Sequence, residues 1–461
     1  LPSDHGSHPN NYPTGSNTTG IYSTFIDMNG HGLPDRVNYM NNKTGAVGIH
    51  VALNQGSKSQ IIEITNNKDQ TLEVEYSTLK DTSIFTPSAG SVYPELDLKA
   101  SAMSVVKAFK VSDAIGGFNT TTFKYEGYKI NRERGSLGFA KIETYNDVSK
   151  SKTISTFHQV FPYIGIAKSS ETYLNDVKIS DENSTLAISR YFTNQNILNM
   201  EITQSTKNKY DIDGSFLLTE LVNNSNFDKY GNIHTIQNST KNGSIEYSKL
   251  TQSIYNNNEE KWILSRLSSA KVTHTHEDGS SIVKTAGFLY DANTGSLTTE
   301  VVEPNSTQQL IKSYKYGLFG NKISQTISGN DIQLQTTKYL YDKNGKNNIK
   351  VTNALGHSEL RVFDINNRLV KITSPNALLT TFEYDKMGRK TLELRADGTS
   401  STWSHTWDNS VNNSLYKVVQ KSSGLPEMIT YFDKLNKKVR VEKTGFDGSK
   451  IYEDTFYDAL G

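Results

Sequence analysis

The stretch Tyr384–Trp403, YDKMGRKTLELRADGTSSTW, decides the fold. It opens on an aromatic and an aspartate, reaches glycine at its fifth position and follows it with arginine. Glycine takes positive φ without steric cost, and an aspartate side chain can accept backbone N–H groups across a turn. Tyr384-Asp385-x-x-Gly388 therefore reads as a tight turn. The next residues alternate: Leu392 and Leu394 share one side, Glu393 and Arg395 the other. Period two predicts a strand with one buried face. Asp397-Gly398 is a second turn and a strong hairpin signal. Just upstream, Phe382 and Tyr384 share a face. The unit is turn, strand, turn, strand.

The unit recurs. Phe227-Asp228, Tyr255-Asn256, Tyr290-Asp291, Tyr316-Gly317, Tyr341-Asp342, Phe363-Asp364, Tyr384-Asp385, Trp407-Asp408, Phe432-Asp433 and Tyr457-Asp458 follow one another at intervals of 21 to 35 residues. The fifth position holds Gly231, Gly320, Gly345, Asn367, Gly388, Asn436 and Gly461, with Gly295 displaced by one. Glycine and asparagine are the residues that tolerate the left-handed region. Second turns fall midway, at Gly329-Asn330, Gly356, Pro375-Asn376, Asp397-Gly398, Ser423-Gly424 and Asp447-Gly448. A single hairpin is marginal in water. Repetition lets neighbours pair edge to edge and is expected to stack aromatics along the sheet. The predicted fold is all-β, a long antiparallel ribbon that coils because sheets twist.

Composition agrees. The chain has 461 residues, 25 Tyr and 18 Phe, which suit strands. Lys plus Arg number 49 and Asp plus Glu 48, so the basic footprint of a nucleic-acid binder is absent. There is no cysteine, hence no disulfide framework or thiol nucleophile. No apolar run reaches the roughly 18 residues of a spanning helix. The chain opens on LPSDHGSHPN without an initiator Met or signal-peptide pattern and closes on FYDALG inside a motif, which reads as an internal piece of a longer protein.

The aromatic-Asp-x-x-Gly-Arg pattern, cleanest at Tyr384–Arg389, resembles the YD repeat of Rhs proteins, of Tc insecticidal toxin components and of teneurins. The resemblance covers residues 223–461. It implies a ribbon that spirals into a hollow shell, which in bacterial members encloses a toxic C-terminal polypeptide. A container rather than an enzyme is expected.

The N-terminal half carries further resemblances. In FIDMNGHGLPDRV, Asp27, Asn29 and Asp35 occupy the first, third and ninth positions of a loop. That spacing is similar to the calcium loops of FG-GAP and VCBS-type propeller blades. The fifth position is His31, a poor ligand for a hard cation. A blade turn held by hydrogen bonds is the expectation, with calcium as the alternative. RERGSLGFAKIETYN (residues 132–146) and FHQVFPYIGIAKSSETY (157–173) resemble the region joining propeller to repeats in SpvB and Tc toxin B components. There Gly135, Gly138 and Gly165 are expected to allow close backbone approach or a bend. The implied order is residues 1–60 as the end of a propeller region, 61–222 as a β-rich linker domain, and 223–461 as repeats.

Catalytic constellations are thin. His274 and His276 precede Glu277, but nothing in the sequence completes a metal site, and a solvated strand explains them. His405, between Trp403 and Trp407, reads as packed. The recurring Asp residues are predicted to line one ribbon edge rather than converge on a sugar as a glycosidase pair must. No nucleophile elbow or phosphate-binding loop is present. The resemblance thus implies a secreted bacterial toxin shell, with the rest of its own chain or a C-component as cargo and a Tc A-type translocator or secretion system as partner. The competing readings are an extracellular adhesion or wall-associated scaffold and a secreted carbohydrate-binding protein.

Overall fold

The computed structural model describes residues 20–29, 33–41, 47–56, 59–113, 115–191, 197–411, 413–445 and 447–458. His31 and Gly461 lie outside the described residues. Among the described residues the secondary structure is all-β, and no helix is long and apolar enough to cross a membrane. The chain forms two compact units, Leu1–Asp176 and Val177–Ala459.

In the first unit, Gly20–Ile26, Asp35–Asn41 and Val47–Ala52 form an antiparallel meander. A second sheet runs through Thr71–Thr78, Ser104–Ser112, Phe118–Glu126, Lys141–Asn146, Ser151–Phe157 and Ala167–Leu174, each antiparallel to the next. Its core gathers around Leu79, Ile84 and Phe85. Phe139, from the Arg-Gly-Ser-Leu-Gly-Phe segment, packs at 4.8 Å from Tyr125 and 4.9 Å from Tyr128 between ring centroids. Leu137 of the same segment is fully buried. The motif therefore supplies core, and the amide of Gln159 ties it down by donating to the Gly127 and Gly138 carbonyls at 2.7 and 2.8 Å. Gly135, Gly138 and Gly165 all have positive φ, with open space where a Cβ would lie. Their role is the bend, and the expected close approach is not the reason for them.

Among the described residues, the second unit is one continuous meander of twenty-one strands, from Val177–Ser189 to Lys450–Asp454. Each strand pairs antiparallel with the next. Residues 222 and 223, where the repeats were expected to begin, lie inside the strand Phe216–Phe227. Successive turns fall alternately on the two long edges of the ribbon. Among the described residues, the buried apolar side chains of this unit are Tyr431, Val439 and Val441. A strand buried on both faces of a layered domain would hold several such residues. This unit is a single-layer wall.

The two faces of the wall differ. Along one, Glu300 pairs with Lys312 across the strands at 3.1 Å and accepts the Tyr314 hydroxyl at 3.0 Å. Burial, then this glutamate, pushes the Tyr314 phenol up to about 12. Farther along the same face, Lys390 bonds Glu393 at 2.7 Å and lies 4.3 Å over the Trp403 ring. The opposite face mixes aliphatic and cationic side chains: Leu340, Leu360 and Val362 are about half exposed there, with Lys350 and Lys371 directly across the strands from them.

Candidate functional site, the ladder of repeat turns

The repeat motif folds as one frame. At Asp364 the backbone N–H donates to the Arg368 carbonyl at 2.9 Å, and the Asn367 N–H donates to the Asp364 carbonyl at 2.9 Å. Asn367 has φ 62°. This is a type I turn followed by a left-handed residue, with the bulge that geometry entails. The ladder register shifts between Val362 and Phe363, where the bulge sits. Asp385 repeats the frame with Gly388 at φ 79°, and Asp433 with Asn436 at 64°. Asp228 and Gly231 close the same way; at Asp342 the Gly345 N–H meets the Asp342 carbonyl at 3.0 Å, but the Asp342 N–H meets the Asn347 carbonyl, one residue farther on, at 2.9 Å. At Asp291 the loop holds one more residue, so Gly295 is displaced as the sequence indicates.

The aspartate does the bracing. Oδ1 of Asp385 accepts the Met387 and Arg389 N–H groups, each at 2.9 Å, and Oδ2 accepts Nε–H of Arg389 at 2.6 Å. Oδ1 of Asp433 accepts the Leu435 and Lys437 N–H groups at 2.9 and 2.8 Å, and that carboxylate is only 4 % exposed. Backbone donors hold the Asp385 and Asp364 carboxyls below their ordinary range: the Arg389 N–H does so at Asp385, and the Arg368 N–H at Asp364, each against an opposing burial effect. An anion that accepts several fixed dipoles is spent on structure, so the recurring Asp residues are not free acids or bases. They line one edge, as their spacing predicted.

Two further parts of the motif tie each turn to its neighbours. The tyrosine hydroxyl reaches back. Tyr290 donates to the Leu267 carbonyl at 2.9 Å, Tyr316 to Leu297 at 2.8 Å, Tyr384 to Leu369 at 2.8 Å and Tyr457 to Lys438 at 3.0 Å. The last three acceptors each follow the preceding turn of that edge directly. The residue after the left-handed position reaches forward. Nη1 of Arg368 donates to the Asp385 carbonyl at 3.1 Å while its guanidinium lies 5.2 Å over the Tyr384 ring. Asn321, after Gly320, donates to the Gly345 carbonyl, and Asn347, two residues after Gly345, donates to Oδ1 of Asn367 at 3.0 Å. The edge is thus a ladder of side-chain rungs. The expected aromatic stacking is found at Tyr416 and Phe432, parallel with centroids 5.0 Å apart. The four tyrosines above act through their hydroxyls instead.

Three positions correct the sequence reading. Tyr255 lies inside the strand Ile245–Asn258 and starts no turn. Trp407-Asp408 opens a longer loop, in which the Asp408 N–H meets the Leu415 carbonyl at 3.0 Å. Lys417 at 2.7 Å, then Ser410, holds the Asp408 carboxyl at about 2. The frame also occurs where it was not looked for. Tyr210-Asp211-Ile212-Asp213-Gly214 closes identically, with Asp211 N–H on the Ser215 carbonyl at 2.8 Å, but on the opposite edge. That edge also uses it at Asn353, whose Oδ1 accepts the Leu355 and His357 N–H groups at 3.0 Å. Asp458 closes the described chain at the same motif phase.

The other candidates are placed as follows. Asp35 is fully buried. Its Oδ2 accepts the Met28 and Asn29 N–H groups at 2.8 and 3.4 Å, and Oδ1 accepts the Asn54 N–H at 2.8 Å. The Lys80 ammonium donates to the Asn29 carbonyl at 2.8 Å. Three amides thus engage the Asp35 carboxylate, and an ammonium is seated on the loop. Asp27 and Asn29 stay in the same loop as Asp35, but among the described residues no group of three His or acidic side chains could hold a metal. His274 and His276 are exposed. His405 is half-buried with Nδ1 lacking a hydrogen-bond partner, and burial, then Arg389, lowers its pKa.

A braced, single-layer ribbon of hairpin repeats defines the fold of the second unit. Residues 6–162 match the family described as the insecticide toxin TcdB middle/N-terminal region. The chain is similar there to Tc toxin B components, and its fold is similar to that of solved Tc toxin structures. It superposes on a crystal structure of TcdB2-TccC3 with TM-score 0.64 at 10% identity, over 94% of this chain and 32% of that one. The TcdB2-TccC3 structure without its hypervariable C-terminal region gives 0.66 at 10%, covering 94% and 34%. A Photorhabdus luminescens Tc holotoxin pore gives 0.67 at 10%, covering 94% and 33%. The chain spans about a third of the length of these structures. No curated protein matches it in sequence.

Proposed function

We propose that this chain is the structural, encapsulating part of a bacterial Tc-like toxin, housing and delivering a C-terminal toxic domain. The observation that carries this reading is the second unit. Twenty-one strands form one layer with almost no buried apolar side chains of its own, stiffened along its edge by turn-to-turn ties. Such a wall suits enclosure, and its carboxylates are committed to bracing, which supports a non-catalytic role. The cargo would be the remainder of its own chain or a C-component, and the delivery partner an A-type translocator acting outside the producing cell. Residues 1–60 are read as the end of a propeller region and 61–222 as the segment joining it to the repeats. Asp27, Asn29 and Asp35 are assigned a bracing role in the blade turn without calcium.

Electron cryomicroscopy of the full-length gene product tests the reading. It predicts that the ribbon continues beyond Asp454 around an enclosed lumen. An open ribbon with both faces in solvent would overturn it.

A further inference from the structure

The tripeptide Lys-Asn-Gly occurs twice among the described residues, as Lys241-Asn242-Gly243 and Lys343-Asn344-Gly345. Both copies lie in hairpin turns, and both asparagines are exposed. The turns hold the Asn–Gly bond differently. In the second copy, Gly345 is the left-handed residue of the repeat turn, with φ 67°. Its N–H donates to the Asp342 carbonyl at 3.0 Å, the Asn344 N–H donates to Oδ1 of Asp342 at 3.1 Å, and a Cβ on Gly345 would strike the Phe319 ring. In the first copy, the strands Ile233–Asn242 and Ile245–Asn258 pair as far as Asn242 opposite Ile245, so Gly243 and Ser244 alone form the loop. Gly243 has φ 60° and Ser244 is not at positive φ, which makes a type II′ turn. Neither the Gly243 N–H nor the Asn242 side chain has a hydrogen-bond partner among the described residues, and beyond its chain neighbours nothing comes within 4 Å of a Cβ built on Gly243.

An asparagine followed by glycine cyclises when the glycine nitrogen reaches the side-chain carbonyl carbon, an approach that no Cβ obstructs. A nitrogen whose hydrogen is already donated in a turn must give up that bond first. We infer that Asn242 is a site of spontaneous deamidation and that the repeat turn shields Asn344 from it. The Gly243 nitrogen attacks Cγ of Asn242. The new C–N bond closes a succinimide ring, the proton of that nitrogen passes to solvent, and the side-chain amide takes a proton from water and leaves as ammonia. Water then opens the ring at either carbonyl to give aspartate or isoaspartate, with no oxidant or reductant. Either product adds a negative charge next to the Lys241–Glu246 pair, whose charged groups are 3.2 Å apart. Isoaspartate also routes the main chain through the side-chain carbon, which lengthens it and undoes the terminal Asn242–Ile245 pairing. The shielding extends to the dipeptides Asp213-Gly214, Asp278-Gly279, Asp397-Gly398 and Asp447-Gly448, which can form the same ring. Each of these glycine N–H groups donates to the carbonyl three residues back at 2.9 or 3.0 Å, and Oδ1 of each aspartate accepts the N–H two residues on.

Incubation of the 461-residue chain in mildly alkaline buffer, then pepsin digestion in acid and tandem mass spectrometry, tests it. Acid halts cyclisation during the digestion. The shared tripeptide makes the two asparagines equivalent once the chain is unfolded. Releasing the Gly345 N–H costs about one net hydrogen bond, so in the folded chain Asn242 should convert about tenfold faster than Asn344. In guanidinium chloride the two rates should converge. Asn242→Gln, an exposed change that cyclises poorly, should leave that position unmodified. Equal rates in the folded chain, faster conversion of Asn344, or an Asn242 that stays intact until denaturant is added would overturn the inference. So would a difference that persists in denaturant, since it would then come from the sequence and not from the turn.

Discussion

Asp433→Ala removes the brace of one turn without touching a strand. Its Oδ1 accepts two backbone N–H groups, at 2.9 and 2.8 Å, in a site where the side chain is 4 % exposed. Hydrogen bonds to a charged group are worth about 1.5–3 kcal/mol each, and donors left without a partner in a buried site add desolvation cost. The two share one acceptor atom, so their sum is not additive; about 3 kcal/mol is expected. Asp433→Asn keeps an acceptor oxygen but not its charge and should cost about half of that. Lys434→Ala, a half-buried side chain on the same turn, should cost less than about 1 kcal/mol. Urea unfolding followed by tryptophan fluorescence reads all three, since Trp403 and Trp407 stand in the same sheet, two strands before the one that enters this turn. Equal costs for Asp433→Ala and Lys434→Ala would refute the claim that the repeat aspartate is a backbone brace.

Three other outcomes follow from the same geometry. Tyr384→Phe keeps the ring and loses the hydroxyl donated to the Leu369 carbonyl at 2.8 Å; a loss of about 1 kcal/mol in urea is expected, and no loss would mean that the tyrosine acts by packing alone. The lowered carboxyls give stability that is complete above the unfolded aspartate pKa of about 3.9 and is lost as pH falls through the folded values. With Asp408 at about 2, melting temperature should hold from pH 7 to about 5 and fall below about 4, and a profile falling instead between pH 7 and 6 would implicate histidines. Calcium and chelator should leave the melting temperature unchanged, because Asp35 is engaged by amides and Lys80 sits on its loop; a calcium-dependent rise would restore the cation to that loop.

The ribbon was legible because each repeat announces itself locally. Asp385, Gly388 and Asp397-Gly398 carry their turn chemistry in a few adjacent residues, and Leu392 and Leu394 carry the strand period. What escaped was tertiary. The Tyr384 hydroxyl finds its acceptor fifteen residues back, and the Arg368 guanidinium finds Asp385 seventeen residues ahead. No period-two pattern encodes such reach. Tyr255 misled because an aromatic followed by asparagine fits a strand interior as well as a turn, and hydrogen bonds farther along, not the dipeptide, decide where the strand stops. Tyr210-Asp211 was overlooked because it falls out of phase, on the other edge. Leu137 and Phe139 illustrate the first unit: their segment resembled a known motif, but that they form its core followed only from the packing around Phe85 and Tyr125.

The account rests on the ribbon being a container wall, and the most direct measurement uses the full-length gene product purified under native conditions. Its size-exclusion elution is compared with a denaturing gel, before and after added protease. The account predicts two polypeptides that co-elute as one particle, with the C-terminal one resistant to protease until the particle is denatured. A single uncut chain whose C-terminal region is digested at once would contradict it.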